Sequence, residues 1–122
     1  MNRYLLDTNT IIYALNQGIK LPNGRYFISI ITEIELLSYA HLTKNDEETL
    51  KRLLSQFESI ELTNSVKEKT ITIRKDAKLK LPDSIIVASA LDNDAILVTS
   101  DKQLLNAHIV KTIELAQLSA NF

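Results

Sequence analysis

The sequence predicts an α/β protein, with a mostly parallel sheet of four to five strands and helices on both faces. Short apolar runs alternate with longer stretches of helical periodicity along the whole chain. That is the pattern of βα units rather than of hairpins. Only two glycines and two prolines occur in 122 residues, so the loops must be short. Two of the apolar runs, residues 4–6 and 95–99, meet an aspartate at their ends, Asp7 and Asp101. In an open α/β sheet the carboxyl ends of the strands form the edge where ligands bind.

The elements follow in order. Residues 4–6 make an apolar strand. Residues 9–16 read as a helix with Ile11, Ile12 and Leu15 on its apolar face. Residues 17–25 hold both glycines and Pro22 and read as a loop. A second strand spans 26–29. Residues 31–40 read as a helix in which Ile31, Ile34 and Leu37 recur at helical spacing. After a break at 41–45, Asn45 or Asp46 caps a helix reaching Phe57, with Leu50, Leu53, Leu54 and Phe57 inward. Residues 59–62 alternate as a strand. Thr63 or Asn64 caps a helix to Leu79 that carries Val66, Ile73 and Ala77. Pro82 opens a helix through Leu91, since proline is favourable in a first turn. Residues 95–99 are a strongly apolar strand, and Asp101 begins a short helical turn with Leu104 and Leu105. A last strand is expected at 109–111 and a terminal helix at 113–118.

Composition narrows the class. With 45% hydrophobic and 24% charged residues the chain has the make-up of a soluble protein. One domain spanning residues 1–122 is expected, burying roughly two-thirds of its unfolded surface. The absence of cysteine excludes disulfides and thiolate metal sites and is compatible with a cytoplasmic home. No basic start with a long apolar run is visible, so neither a signal peptide nor a membrane span is expected. The net charge of -1 argues against wrapping nucleic acid by charge alone. A nucleic-acid role would rest on a local patch or on metal ions.

Four acids stand out: Asp7, Glu35, Asp83 and Asp101. Helix capping accounts for an aspartate at each of the three helix starts without any chemistry, because the side chain accepts an orphan backbone N–H. Asp83, however, shares a helical stripe with Ile86, Val87, Ala90 and Leu91, so it faces the interior end of the sheet. Glu35 lies mid-helix, where capping does not explain it, and a solvated helix face is the plain alternative. Carboxylates gathered without a partner repel and raise one another's pKa. A cluster of them therefore implies a cation, and an all-oxygen donor set suits Mg²⁺ or Mn²⁺. His41 and His108 sit in no catalytic pattern and read as structural or exposed.

Four segments together carry a family likeness: residues 5–9 (LLDTN), 28–29 followed by 32–36 (IS…TEIEL), 81–90 (LPDSIIVASA) and 97–101 (LVTSD). In order and spacing the chain resembles the PIN domain, and within it the toxin nucleases of VapBC-type toxin–antitoxin pairs. The resemblance covers nearly the whole chain and implies a PIN-like three-layer α/β/α sandwich. It implies metal-dependent cleavage of RNA, with Asp7, Glu35, Asp83 and Asp101 as the acidic quartet holding Mg²⁺ or Mn²⁺. Thr8 and Asn9 fall where the family often has polar support residues. Thr99 lies near the last aspartate and is placed to orient it or a metal-bound water. A homodimer and a small VapB-like antitoxin partner are implied as well.

For phosphate contacts, Arg74, Lys75, Lys78 and Lys80 precede Asp83, with Arg25 and Lys102 as further candidates; a solvated face is the plain reading of such residues. The helix pair over 31–57 carries enough apolar surface for an antitoxin groove or a dimer face, with Tyr39, Leu42 and Phe57 as exposed contacts. Two competing readings remain. One is a non-catalytic PIN-fold module that binds RNA or protein. The other is a phosphatase-like hydrolase with Asp7 as nucleophile, which needs a second aspartate where Asn9 stands.

Overall fold

A computed structural model describes residues 1–120 of the chain. Five parallel strands form one sheet in the order β3-β2-β1-β4-β5. These are β1 (Arg3–Leu6), β2 (Arg25–Ser29), β3 (Glu58–Ile60), β4 (Ile96–Val98) and β5 (Thr112–Ile113). The helices between them are α1 (Thr8–Gln17), α2 (Ile30–Leu37), α3 (Lys44–Leu54), α4 (Asn64–Asp76), α5 (Leu81–Asp92), α6 (Lys102–Ala107) and α7 (Leu115–Ala120). The three-layer α/β/α arrangement expected from the sequence is present.

Successive strand side chains point to opposite faces of a sheet, and here each face has its own core. Leu5, Phe27, Ile60 and Leu97 point to one face, where they meet Val66 and Ile73 of α4, Leu104 of α6 and most of α5. Tyr4, Leu6, Ile28 and Val98 point to the other, against Ile11 and Ala14 of α1, Leu36 of α2, Leu50 and Leu54 of α3, and Leu115 and Leu118 of α7. The register Leu5↔Leu97 and Leu6↔Val98 keeps the two sets apart.

Helix α5 is the most enclosed element: every residue from Ser84 to Ala90 is buried. Its hydroxyls do not go unpaired. Ser84 Oγ donates to Lys80 O and Ser89 Oγ to Ile85 O, at 2.9 and 2.7 Å, so the helix satisfies them itself. Small residues such as Ala88 and Ala90 have no exposed surface and let α5 lie between the sheet and α4.

Several expected boundaries move, each for a local reason. Helix α3 is capped by Thr43 rather than Asn45 or Asp46; Asp46 is the reciprocal partner of that cap, accepting the Thr43 N–H while its own N–H donates to Thr43 Oγ1. Helix α4 stops at Asp76, because Ala77 is extended, and so falls short of Leu79. Helix α1 starts at Thr8 with Asp7 as its cap. The third strand is shorter and earlier than expected, and the last strand is Thr112–Ile113 rather than 109–111. Ile12 and Leu15, expected on the apolar face of the first helix, are exposed, and so is Ile34, one of the three residues recurring at helical spacing in the second. Gly18 ends α1 at φ 60°, a left-handed turn whose N–H closes on Ala14 and Leu15 carbonyls.

Candidate metal centre at the strand ends

The chain runs from β1 outward through β2 to β3, then returns to place β4 on the other side of β1. The carboxyl ends of β1 and β4 therefore form the switch point of the sheet, where open α/β folds bind ligands. Asp7 follows β1, and Asp101 follows β4 by way of Thr99 and Ser100. The backbone joins the two strand ends directly, with Asp7 N donating to Val98 O at 3.2 Å.

Thr99 ties the two aspartates together. Its buried hydroxyl donates to Asp7 Oδ2 and accepts the Asp101 N–H at 3.0 Å. Asp7 is itself buried and its Oδ1 accepts the Thr10 N–H at 2.9 Å, so it caps α1 in addition to facing the site. Asp101 Oδ1 accepts the Gln103 N–H at 2.8 Å and caps α6 likewise. The capping reading of these two residues is thus correct. It leaves further lone pairs on each carboxylate, because an ionised carboxylate accepts up to about four hydrogen bonds.

Glu35 approaches from α2. Thr8 Oγ1 donates to Glu35 Oε1 at 2.8 Å and lies 3.1 Å from Thr32 Oγ1. A hydroxyl has one proton to donate, so with Thr8 donating to Glu35 the fully buried Thr32 hydroxyl donates in turn to Thr8 Oγ1. Glu33, the other acid of α2, turns instead to Ser59. Asp83 enters in the first turn of α5, a turn without a side-chain cap. Burial raises the Asp83 carboxyl above its ordinary range first, and then Asp101, Asp7 and Glu35 raise it further, while Lys80 opposes them. All four acids share one electrostatic neighbourhood. As their side chains stand, no three His, Cys, Asp or Glu groups among the described residues close into a coordination shell. The quartet is a loose ring of hard oxygen donors around the switch point. That donor chemistry fits Mg²⁺ or Mn²⁺ and no soft metal.

Not every expected residue reaches this ring. Asn9 is exposed and bonds to none of the acids among the described residues. Arg25 is held by Glu58 through contacts of 2.8–3.0 Å at the amino end of β2, the edge opposite the acids. Arg74 donates to Leu79 O at 2.7 Å, closing the turn between α4 and α5 instead of standing free. Lys75, Lys78, Lys80 and Lys102 are exposed. His41 packs its ring against Tyr39, and His108 is the left-handed cap of α6. Two residues were given no role from sequence: Thr10, three positions after Asp7 where a cap's N–H partner falls, and Thr32, which opens the TEIEL segment of the family likeness and whose buried hydroxyl meets Thr8.

Two cavities flank the ring. One, of about 680 Å³, is lined by Ile12, Leu15, Leu36, Tyr39, Leu42 and Leu50 together with polar Thr8, Asn16 and Thr49 and the carboxylates of Glu35 and Asp46. Helix α1 is thus part of the groove that sequence placed on the pair 31–57 alone. Phe57 is half-buried, edge-on to Tyr26, and belongs to a neighbouring cavity. The other flanking cavity, about 440 Å³, lies between α1 and α7.

The sequence model of the PIN domain matches residues 4–109, and the chain belongs to the PIN domain family. No curated protein matches it. Among solved structures it is similar to a toxin–antitoxin complex from Klebsiella pneumoniae, with 29% identity, 92% of this chain and 99% of that chain covered, and a TM-score of 0.76. It shares its fold with VapBC2 from Rickettsia felis bound to a promoter DNA fragment (22% identity, 92% and 98% covered, TM-score 0.80). The same holds for DNA-bound VapBC from Salmonella typhimurium (21% identity, 93% and 98% covered, TM-score 0.80). No helix among the described residues is long and apolar enough to cross a membrane.

Proposed function

We propose that this chain is a metal-dependent endoribonuclease of the VapC toxin type, held in check by a small antitoxin. The observation that carries the reading is the convergence of acids at the switch point, where Thr99 joins Asp7 to Asp101 and Thr8 holds Glu35. The Asp83 carboxyl, raised first by burial and then by Asp101, Asp7 and Glu35, is one that a bound cation would relieve. Asp7, Asp83 and Asp101 are assigned as metal ligands, with Glu35 as a fourth ligand or as the group that steers water. Mg²⁺ or Mn²⁺, when bound there, supplies Lewis-acid polarisation of a scissile phosphate and acidifies a coordinated water. The protein's own part is positional. Thr99 fixes the Asp7 carboxylate and the Asp101 backbone relative to each other, and Thr32 and Thr8 aim Glu35. Lys75, Lys78 and Lys80, exposed beside the entrance to α5, contribute phosphate contacts that offset the chain's net negative charge.

The 680 Å³ trough is assigned to the antitoxin. Its lining combines Ile12, Leu15, Leu36, Leu42 and Leu50 with the carboxylates of Glu35 and Asp46, which suits an amphipathic helix that carries a basic side chain. The relatives solved as toxin–antitoxin complexes support that partner. A homodimer completes the assignment, and a cytoplasmic location accords with it.

The test is cleavage of single-stranded RNA with Mg²⁺ or Mn²⁺, set beside an Asp7→Asn variant. Cleavage by the wild type and its loss in the variant are expected, because Asn keeps the helix cap but removes the charge. Equal cleavage by both would remove the assigned site. Hydrolysis of a small phosphomonoester without RNA cleavage would favour a phosphatase instead.

A further inference from the structure

Helix α1 divides the surface beside the acids into two recesses. The trough on the α2/α3 side sets aliphatic side chains beside Thr8, Asn16, Thr49 and the carboxylates of Glu35 and Asp46. The recess on the α7 side, about 440 Å³, mixes a tyrosine ring with polar groups: Asn9, Thr10, Tyr13, Ser100 and Glu114 surround it, over Leu115. Its volume lies within the range of small-ligand sites.

Its position ties it to the acid ring. Thr10 supplies the N–H that holds Asp7 Oδ1, and Ser100 precedes Asp101 in the chain. The recess therefore borders the site beside Asp101 in the chain and at the backbone group that holds Asp7. Tyr13 is 56% exposed. Among the described residues its ring stacks on no other aromatic and its hydroxyl has no protein partner. The chain's other exposed tyrosine, Tyr39, is by contrast engaged with His41. Glu114 is exposed, with its carboxylate in no ion pair among the described residues. It is the only carboxylate among the residues lining the recess.

We propose that this recess receives the nucleobase next to the scissile phosphate, stacked on Tyr13, and that Glu114 selects guanine there. The proposal rests on the ribonuclease reading above. Single-stranded RNA is read by splaying a base out, stacking it on an aromatic ring and bonding its Watson–Crick edge. An ionised carboxylate offers only acceptors. Guanine presents two adjacent donors on that edge, N1–H and N2–H, which match both oxygens of one carboxylate. Cytosine and adenine each present one amino group there, and uracil one N–H. Asn9 and Ser100 add neutral polar groups at the rim. Tyr13 is already more than half exposed before any base arrives.

The test is cleavage of a randomised single-stranded RNA pool by the full chain with Mn²⁺, with the cut ends sequenced. Tyr13→Ala, Tyr13→Phe and Glu114→Gln are compared with the wild type, and each variant's melting temperature is recorded. The wild type is expected to cut beside guanine. Tyr13→Ala should lose about 10-fold or more in kcat/KM, as loss of a stacking ring does, while Tyr13→Phe keeps wild-type rate and preference. Glu114→Gln should keep cleavage but reduce the guanine preference by about 10-fold, the scale of one lost bidentate base contact. Unchanged rate and base preference in both Tyr13→Ala and Glu114→Gln would overturn the recess alone. Absence of any RNA cleavage by the wild type would overturn the ribonuclease reading, and this proposal with it.

Discussion

The two faces of the sheet are built from the same strands yet finished differently. On the face of Leu5, Phe27 and Leu97, α5 is buried along seven consecutive residues and α4 covers it. On the face of Leu6, Ile28 and Val98, α1 and α3 stand apart, and Ile12, Leu15 and Tyr39 are left exposed around a trough. A helix apolar all round belongs in an interior; a helix with apolar residues in excess of its inward stripe has surface left for a partner. The first face buries the more continuous core, and the second carries the trough assigned above to a partner. The acids sit where the two meet, at the carboxyl ends of β1 and β4.

The largest effect should come from the closed face. Ile86→Ala, at a site 2% exposed, should cost about 2–5 kcal/mol, read as a fall in Tm of roughly 10 °C or more. A smaller loss would mean that this face is looser than its burial indicates. Next comes the junction. Thr99→Val removes the hydroxyl that donates to Asp7 and accepts from Asp101 N. It should cost about 1–3 kcal/mol, and RNA cleavage should fall about 10- to 100-fold, as for the loss of an outer-shell partner at a metal site.

Gly18→Ala forces a methyl group onto a left-handed residue with open space around it, so only backbone strain should register, about 1 kcal/mol. On the open face Leu15→Ala, at a residue 40% exposed, should change stability by no more than about 1 kcal/mol while weakening a co-purified antitoxin. Equal destabilisation by Leu15→Ala and Ile86→Ala would erase the distinction between the faces. The smallest effect concerns acid. Ser65 and then Lys69 hold the Asp92 carboxyl below its ordinary range. A lowered folded-state pKa contributes stability above the unfolded value and loses it as pH falls. The Tm gap between wild type and Asp92→Asn should thus be present at pH 7, begin to narrow as the pH falls to about 4 and close only at more acid pH, in a series of melts across that range.

Much of this was legible in the chain. Alternating apolar runs announced the parallel sheet, and Asp7 and Asp101 announced the strand-end pair, because strand, acid and helix start were contiguous in sequence. Glu35 and Asp83 were reached by combining periodicity with the family likeness. Exposure on the open face was not legible: Ile12, Leu15 and Ile34 fit a helical stripe as well as the truly buried residues do, and periodicity does not tell which stripe lacks a cover. Nor was the fate of the cations. Arg25 and Arg74 were drawn away by Glu58 and by the Leu79 carbonyl, contacts set by tertiary geometry. The cap of α3 shifted because Thr43 and Asp46 serve each other reciprocally, so choosing the acid as the cap took the wrong half of the pair.

On the proposed reading, four carboxylates from separate helices and strand ends serve one divalent ion site. Calorimetric titration of the full chain with Mn²⁺ tests it most directly, in parallel with an Asp101→Asn variant that retains its fold by circular dichroism. Saturable binding to the wild type, sharply weakened in the variant, is predicted. Absence of Mn²⁺ binding, or binding of equal strength to both proteins, would contradict it.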